Sequence, residues 1–164
     1  MSLLTRLQTF LESIPDRRGS AFVGSSLLAF AGAWLVLQAI SFAILAVYPG
    51  PATSTDLFES RNGILTGVFL APLLETLAMR GLFWLLRRLR RGKAGLLGWS
   101  TLFWWISHLP SENWGIPAAG AFWVMSVLYL AFERRSKDQA MVYVAVFHMG
   151  FNALAYLLYH LVNG

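Results

Sequence analysis

Apolar residues in this chain form one short amphipathic segment followed by five long runs, with polar or charged stretches between them. In the first segment the apolar side chains recur at helical spacing, at Leu3, Leu4, Leu7, Phe10, Leu11 and Ile14. This spacing predicts an amphipathic helix over about residues 1–20 that lies on the membrane interface. A helical lead-in that packs on the rest of the protein fits the same pattern.

The five apolar runs are close to the roughly 17–25 residues that a helix needs to cross a bilayer. They cover residues 22–47, 63–86, 94–109, 118–132 and 140–162, and the third stops short at Pro110. Of the 164 residues, 57% are hydrophobic. We therefore predict an all-α, polytopic membrane helix bundle of about five spans in a single domain, residues 1–164. The absence of cysteine excludes disulfides and thiolate metal sites.

Basic residues mark one side of the predicted bundle. They precede the first run and follow the second and the fourth, at Arg6, Arg17, Arg18, Arg87, Arg88, Arg90, Arg91, Lys93, Arg134, Arg135 and Lys137. The other side carries Arg61 alone. Because basic loops stay in the cytoplasm, we expect a cytoplasmic N-terminus, an outside C-terminus and residence in a bacterial inner membrane. Arginines that adjoin a span indicate orientation and contact with anionic lipids, and no nucleic-acid partner is expected.

Four polar side chains interrupt the apolar runs: Glu75, His108, His148 and Asn152. Polar and ionisable groups at membrane depth are costly, and they mark functional sites by default. His148 and Asn152 are four residues apart, so they point the same way from one helix. Each residue could instead have a purely structural role. One example is a buried ion pair between Arg80 and a carboxylate that only holds helices together. Four such groups at one depth favour a functional site.

Two chemistries suit these residue types. A glutamate beside a histidine can polarise a water molecule, and a second histidine with an asparagine can donate to a developing oxyanion. That combination predicts hydrolysis of an amide bond. The alternative is a zinc ion bound by Glu75, His108 and His148, and sequence spacing does not separate the two.

Three short motifs then resemble a known family, the CAAX-protease and bacteriocin-processing family of intramembrane endopeptidases, which are relatives of the Ras-converting enzyme. Its first motif is a pair of glutamates followed after three residues by arginine and usually glycine. Its second places an aromatic residue four before a histidine, and its third is His-x-x-x-Asn. The matching positions here are Glu75, Thr76, Arg80, Gly81, Trp104, His108, His148 and Asn152.

The resemblance implies a glutamic-type mechanism that requires no metal. Glu75 and His108 would activate water, and His148 with Asn152 would stabilise the oxyanion. Arg80, Thr76 and Trp104 would support them, within a catalytic core of four helices over residues 63–162. One position departs from the family pattern, because Thr76 stands where the second glutamate is usual.

The resemblance also implies a membrane-anchored or transmembrane protein or peptide as the substrate. Family branches include prenyl-protein proteases, bacteriocin-related proteins and sortase-like enzymes of the myxosortase type. Thr76 keeps open a catalytically silent protein of the same fold that binds a partner, such as an immunity factor. A proton-coupled transporter could use the same glutamate and histidines, but the inverted repeats expected of such folds do not stand out in the sequence.

Overall fold

The computed structural model describes residues 2–47, 62–108 and 115–163, and within these ranges helices joined by short turns are the regular secondary structure, with no strand. The prediction of an all-α bundle is confirmed. A short 3₁₀ turn, Ile14–Asp16, follows the first helix. The six helices are α1 (Leu3–Ser13), α2 (Gly19–Val47), α3 (Ile64–Arg88), α4 (Lys93–Ser107), α5 (Gly115–Glu133) and α6 (Lys137–Asn163).

Four of these helices, α2, α3, α5 and α6, are long and apolar enough to cross a membrane. The chain is therefore an integral membrane protein with several spans. The third of the five predicted spans corresponds to α4, which has 15 residues. At 1.5 Å per residue it extends about 22 Å, which is less than the ~30 Å thickness of the hydrocarbon core. Four of the five predicted spans thus have the required length within the described ranges.

Helix α1 begins at a capped N-terminus, where the Ser2 hydroxyl accepts a hydrogen bond from the Thr5 amide. Its last turn and the 3₁₀ turn bury Leu11 and Ile14 at 1% and 0% exposure, whereas Leu3 in the first turn is 82% exposed. The C-terminal half of α1 therefore packs on the bundle, where it contacts α5. The first turn keeps the exposed apolar surface expected of an interfacial helix.

Glu12 ties α1 to the loops at the same end of the bundle. Its carboxylate lies 2.5 Å from Lys93 Nζ and accepts a hydrogen bond from Gln8, while its carbonyl accepts one from Arg134. Partial burial raises the pKa of Glu12, but Lys93, Gln8 and the charge of Arg134 together hold that pKa below its usual value. The C-terminal end of α1 is thus bonded through Glu12 to the start of α4 and to the residue that follows α5.

Helix α5 is the most enclosed of the long helices and contacts α1, α2, α4 and α6. Buried residues make up 61% of its apolar window, against 17% for α2. At the crossing of α4 and α5, the buried hydroxyls of Ser100 and Ser126 lie 2.9 Å apart. Ser126 donates to the sulfur of Met79 at 3.5 Å, so its oxygen accepts from Ser100, and two small residues let the helices approach without leaving an unpaired polar group.

Candidate active site

A cavity of about 260 Å³ lies among α2, α3, α5, α6 and the end of α4. All four polar residues predicted from the apolar runs line it, namely Glu75, His108, His148 and Asn152. Much of the remaining wall is apolar or aromatic, with Trp34, Phe122, Met125 and Phe151 among its residues. The fold thus gathers polar groups from three helices into a space with largely apolar walls.

Glu75 on α3 and His148 on α6 face each other across this cavity. Oε2 of Glu75 lies 3.4 Å from Nε2 of His148, and the two side chains are 28% and 8% exposed. That separation is longer than a normal hydrogen bond, so the two groups are adjacent without being tightly paired. The other ring nitrogen of His148, Nδ1, is buried and finds no hydrogen-bond partner within the described residues.

His108 is the C-terminal cap of α4, and its ring is held by the last turn of that helix. Its Nδ1 lies 2.9 Å from the Trp104 carbonyl oxygen. A carbonyl oxygen can only accept, so in this contact Nδ1 is the donor, and the Ser107 hydroxyl lies 3.1 Å from the same nitrogen. In the tautomer whose proton is on Nδ1, the lone pair is on Nε2, a nitrogen that the last turn of α4 does not occupy.

Phe122 of α5 connects the two imidazoles. Its ring stacks on Trp104 with centroids 3.8 Å apart and meets His148 edge to face at 5.3 Å. The His108 ring lies 5.9 Å from the same phenyl group. Trp104, predicted as a supporting residue, lies beneath Phe122 and is itself only 4% exposed. Sequence reasoning missed Phe122, because a single aromatic residue in an apolar run carries no distinguishing signal.

Asn152 satisfies a backbone group that the start of α3 leaves free. The first seven residues of α3, Ile64–Leu70, form a π-helix, in which the Ala71 amide donates to the Thr66 carbonyl. In a π-helix each carbonyl accepts from the amide five residues later, so the Gly67 carbonyl would accept from residue 72. Residue 72 is proline and has no N–H, so the Gly67 carbonyl has no partner of this kind. Nδ2 of Asn152 donates to that oxygen at 2.7 Å. Asn152 therefore joins α6 to the π-helical start of α3.

Helix α2 contributes a wall of the cavity that sequence analysis did not anticipate. Gln38 and Ser41 line it beside Trp34 and Leu37. The Ser41 hydroxyl donates to the Leu37 carbonyl within its own helix. Gln38 carries a signal that could have been used, because it is an amide inside an apolar run, and the rule that selected Glu75 applies to it as well.

Thr76 and Arg80 are not among the described residues that line this cavity. Thr76 is 1% exposed, and its hydroxyl donates to the Pro72 carbonyl one turn earlier. The Nη1 atom of Arg80 lies 3.2 Å from Asp138 at the start of α6 and 3.6 Å from the sulfur of Met141. Both residues therefore contact the surrounding bundle, and Arg80 pairs with a carboxylate other than Glu75.

Within the described ranges, no group of three histidine, aspartate or glutamate side chains is arranged to hold a metal ion. The zinc site predicted as an alternative would use Glu75 and His148, which are adjacent, together with Nε2 of His108. It stays a prediction that metal analysis can test.

The sequence was compared with known protein families, with curated proteins and with solved structures. A family model described as type II CAAX prenyl endopeptidase Rce1-like matches residues 57–154. The chain belongs to this Rce1-like family. No curated protein and no solved structure gives a significant match. The predicted family is confirmed, and membership supports a membrane-embedded protease. The matched segment contains Glu75, His108, His148 and Asn152, whereas α1 and α2, with Gln38 and Ser41 of the cavity wall, precede it.

Proposed function

We propose that this Rce1-like protein is an intramembrane endopeptidase that hydrolyses a peptide bond near the membrane end of a protein or peptide substrate. The observation that carries the proposal is one cavity lined by a carboxylate, two imidazoles and an amide, in a member of a protease family. The largely apolar walls limit the water in the cavity, so each polar group acts in a medium where its interactions are strong.

In the proposed reaction, Glu75 and His108 activate a water molecule. The carboxylate of Glu75 takes a proton from the water while Nε2 of His108 accepts a hydrogen bond and orients it. The oxygen then attacks the carbonyl carbon of the scissile peptide bond. A tetrahedral intermediate forms, with negative charge on the former carbonyl oxygen.

His148 and Asn152 are proposed to stabilise that oxyanion. The amide of Asn152 carries two N–H groups, of which one donates to Gly67, so the second is available to the substrate. His148 can donate from its ring, and its buried position keeps the donor in a fixed orientation. Collapse of the intermediate breaks the C–N bond, and Glu75 returns its proton to the leaving amine.

The proposed substrate is a membrane-anchored or transmembrane tail that enters from the bilayer. The family description points to prenylated C-terminal tails. The alternative kept from the sequence is a sortase-like branch that acts on C-terminal membrane tails. We further propose that the protein resides in a bacterial inner membrane with its N-terminus in the cytoplasm and its C-terminus outside. This orientation rests on the distribution of arginine and lysine among the loops.

Thr76 favours a second candidate function. The family motif usually has a glutamate at this position, and the threonine here forms a hydrogen bond within its own helix. A silent relative would retain the bundle and bind a partner helix, as an immunity protein does, without turnover.

The deciding experiment co-expresses the protein with tagged membrane-anchored proteins encoded beside its gene, together with a farnesylated CAAX reporter. Cleavage appears as loss of the C-terminal tag from the tagged proteins, and as loss of the three residues after the farnesylated cysteine from the CAAX reporter. Glu75→Gln keeps size and hydrogen bonding but cannot take a proton, so cleavage should fall by at least roughly 10²-fold. Glu12→Gln is the matched control, because Glu12 lies on α1 outside the cavity, and it should cleave normally.

Both variants should purify as folded protein, since neither change introduces a buried charge. Near-normal cleavage by Glu75→Gln would remove Glu75 as the general base. Co-purification of an uncleaved partner with both wild-type protein and Glu75→Gln, with no turnover of any reporter, would establish the silent alternative.

A further inference from the structure

A second concave surface, here called the basic groove, lies at the end of the bundle where α2 and α6 begin. Its volume is about 750 Å³, and it is lined by residues that include Arg17, Arg18, Phe22, Arg135, Val142 and Val146. None of these six residues lines the candidate active site. The basic groove is therefore a different surface from the candidate active site.

The arginines of the basic groove are incompletely neutralised. Asp16, whose side chain is 69% exposed, lies 3.4 Å from Arg135 and 4.0 Å from Arg134. Arg17 contacts the Ser13 hydroxyl and the Phe10 ring, and neither it nor Arg18 pairs with any carboxylate in the described part of the chain. Like charges around one opening repel each other, and an anion between them relieves that repulsion.

A second cluster of arginines at this end of the bundle is partly paired, since Arg88 lies over the Trp84 ring and meets no carboxylate among the described residues. Arg87 forms a two-pronged ion pair with Glu133, and Arg80 contacts Asp138. Asp138 also borders the basic groove, but its carboxylate oxygen lies 3.2 Å from the guanidinium of Arg80. The basic groove therefore carries two guanidinium groups, of Arg17 and Arg18, that no carboxylate of the described residues neutralises, and its one lining carboxylate, Asp138, is already paired with Arg80.

The floor of the basic groove is apolar and leads towards the hydrocarbon core. Val142 and Val146 are one turn apart on α6 and are 63% and 62% exposed. The apolar spans of α2 and α6 begin at Gly19 and Lys137, so the arginines lie at the end of both spans. Positive charge therefore sits at the membrane surface, and an exposed apolar strip runs inward from it.

We propose that the basic groove binds an anionic phospholipid. Arg17, Arg18 and Arg135 bind the phosphate of the headgroup, and an acyl chain lies along Val142 and Val146. A phospholipid fits better than a soluble phosphate because only a lipid covers the exposed valines as well as the charges. Guanidinium groups suit this role because their planar donors match phosphate oxygens in pairs.

The test measures lipid binding by native mass spectrometry of the detergent-purified full-length chain. The probes are phosphatidylglycerol and phosphatidylcholine with identical acyl chains. We expect the wild-type protein to retain phosphatidylglycerol preferentially. The double variant Arg17→Gln/Arg18→Gln should weaken that binding by about fivefold for each charge removed. The control, Arg6→Gln/Arg90→Gln, removes two exposed charges outside the groove and should bind as wild type.

Two further arms separate specific binding from other effects. Arg17→Lys/Arg18→Lys keeps the charge and should retain most of the binding, while equal melting temperatures in phosphatidylcholine will show that the glutamine variant is folded. Equal retention of the two lipids by wild-type protein, or equal loss in both glutamine double variants, overturns the proposal. So does competition by millimolar glycerol phosphate, which would identify a soluble-phosphate site instead.

Discussion

Asn152 on α6 donates a hydrogen bond of 2.7 Å to the carbonyl oxygen of Gly67 on α3. The Gly67 oxygen has no π-helical backbone donor, because that donor would be residue 72, which is proline and has no amide hydrogen. One side chain thus has two separable tasks, which are to satisfy the backbone of α3 and, in the proposed mechanism, to donate towards the substrate oxyanion.

The two tasks of Asn152 predict different responses to substitution. Asn152→Ala should lower turnover by about 10²–10³-fold, because an oxyanion donor matters most in the transition state. It should also lower the free energy of unfolding by about 1–3 kcal/mol, since the Gly67 carbonyl becomes unsatisfied. Kinetics on a cleaved reporter and thermal unfolding measure the two effects.

Pro72→Ala separates these effects, because it restores an amide five residues after Gly67. In the Pro72→Ala background, Asn152→Ala should lower the free energy of unfolding by less than it does in the wild-type protein, and a double-mutant cycle measures the difference. The loss of turnover should be the same in both backgrounds. If Pro72→Ala restores turnover together with stability, Asn152 is only a structural link between α3 and α6.

Thr76 provides a test of the departure from the family motif. Thr76→Glu should keep or raise turnover if Arg80, four residues later on the same helix, exchanges Asp138 for the new carboxylate. Thr76→Gln has nearly the same size without the charge and should show no gain. Adding Asp138→Asn, which releases Arg80, should make the glutamate variant easier to fold. Lower turnover in Thr76→Glu than in Thr76→Gln would mean that this bundle does not use a second glutamate.

Metal dependence can be decided directly. If Glu75 and His108 hold the reactive water without zinc, exhaustive chelation should leave turnover unchanged, and elemental analysis should find no stoichiometric metal. Loss of turnover on chelation and its return with zinc would instead support a zinc site at Glu75, His108 and His148. Glu75→Gln serves as a control, because only a metal bound at this cavity should be depleted in that variant.

The short length of α4 makes the topology informative. Reporters fused after Lys93 and Lys137 should be cytoplasmic, whereas fusions near Asp56, near Glu112 and at the C-terminus should report the opposite side. Asp56, Arg61, Pro110 and Glu112 lie outside the described residues. A cytoplasmic C-terminus would show that α4, with 15 residues, does not cross the membrane and that four helices span it.

A polar residue in an apolar run was the sequence signal that selected four residues of the cavity wall, although Gln38 carries the same signal and was not selected. Glu75, His108, His148 and Asn152 could be selected because such residues are rare there, and the spacing of His148 and Asn152 fixed their common face. The helix ends were less accurate. Helix α6 begins at Lys137, three residues before the predicted apolar run, because its polar first turn is helical without being hydrophobic.

Other features had no sequence signal of sufficient strength. Phe122 is one aromatic residue among many, and its stacking on Trp104 depends on how α4 and α5 cross. The π-helical turn lies in a uniformly apolar segment, where periodicity does not distinguish one helical register from another. Thr76 and Arg80 were grouped with the site by motif, and their actual partners, Pro72 and Asp138, depend on tertiary packing.

The cavity wall formed by α2 has a consequence for how proteins of this kind diversify. Gln38 and Trp34 lie beside the polar cavity residues, yet α2 precedes the segment that the family model matches. The proposed reactive groups and the cavity wall formed by α2 therefore lie in different parts of the chain, and only the former fall within the matched segment. If the proposed mechanism holds, substitutions along α2 should change which tail is accepted without changing the hydrolytic groups, and relatives should differ in substrate according to this helix.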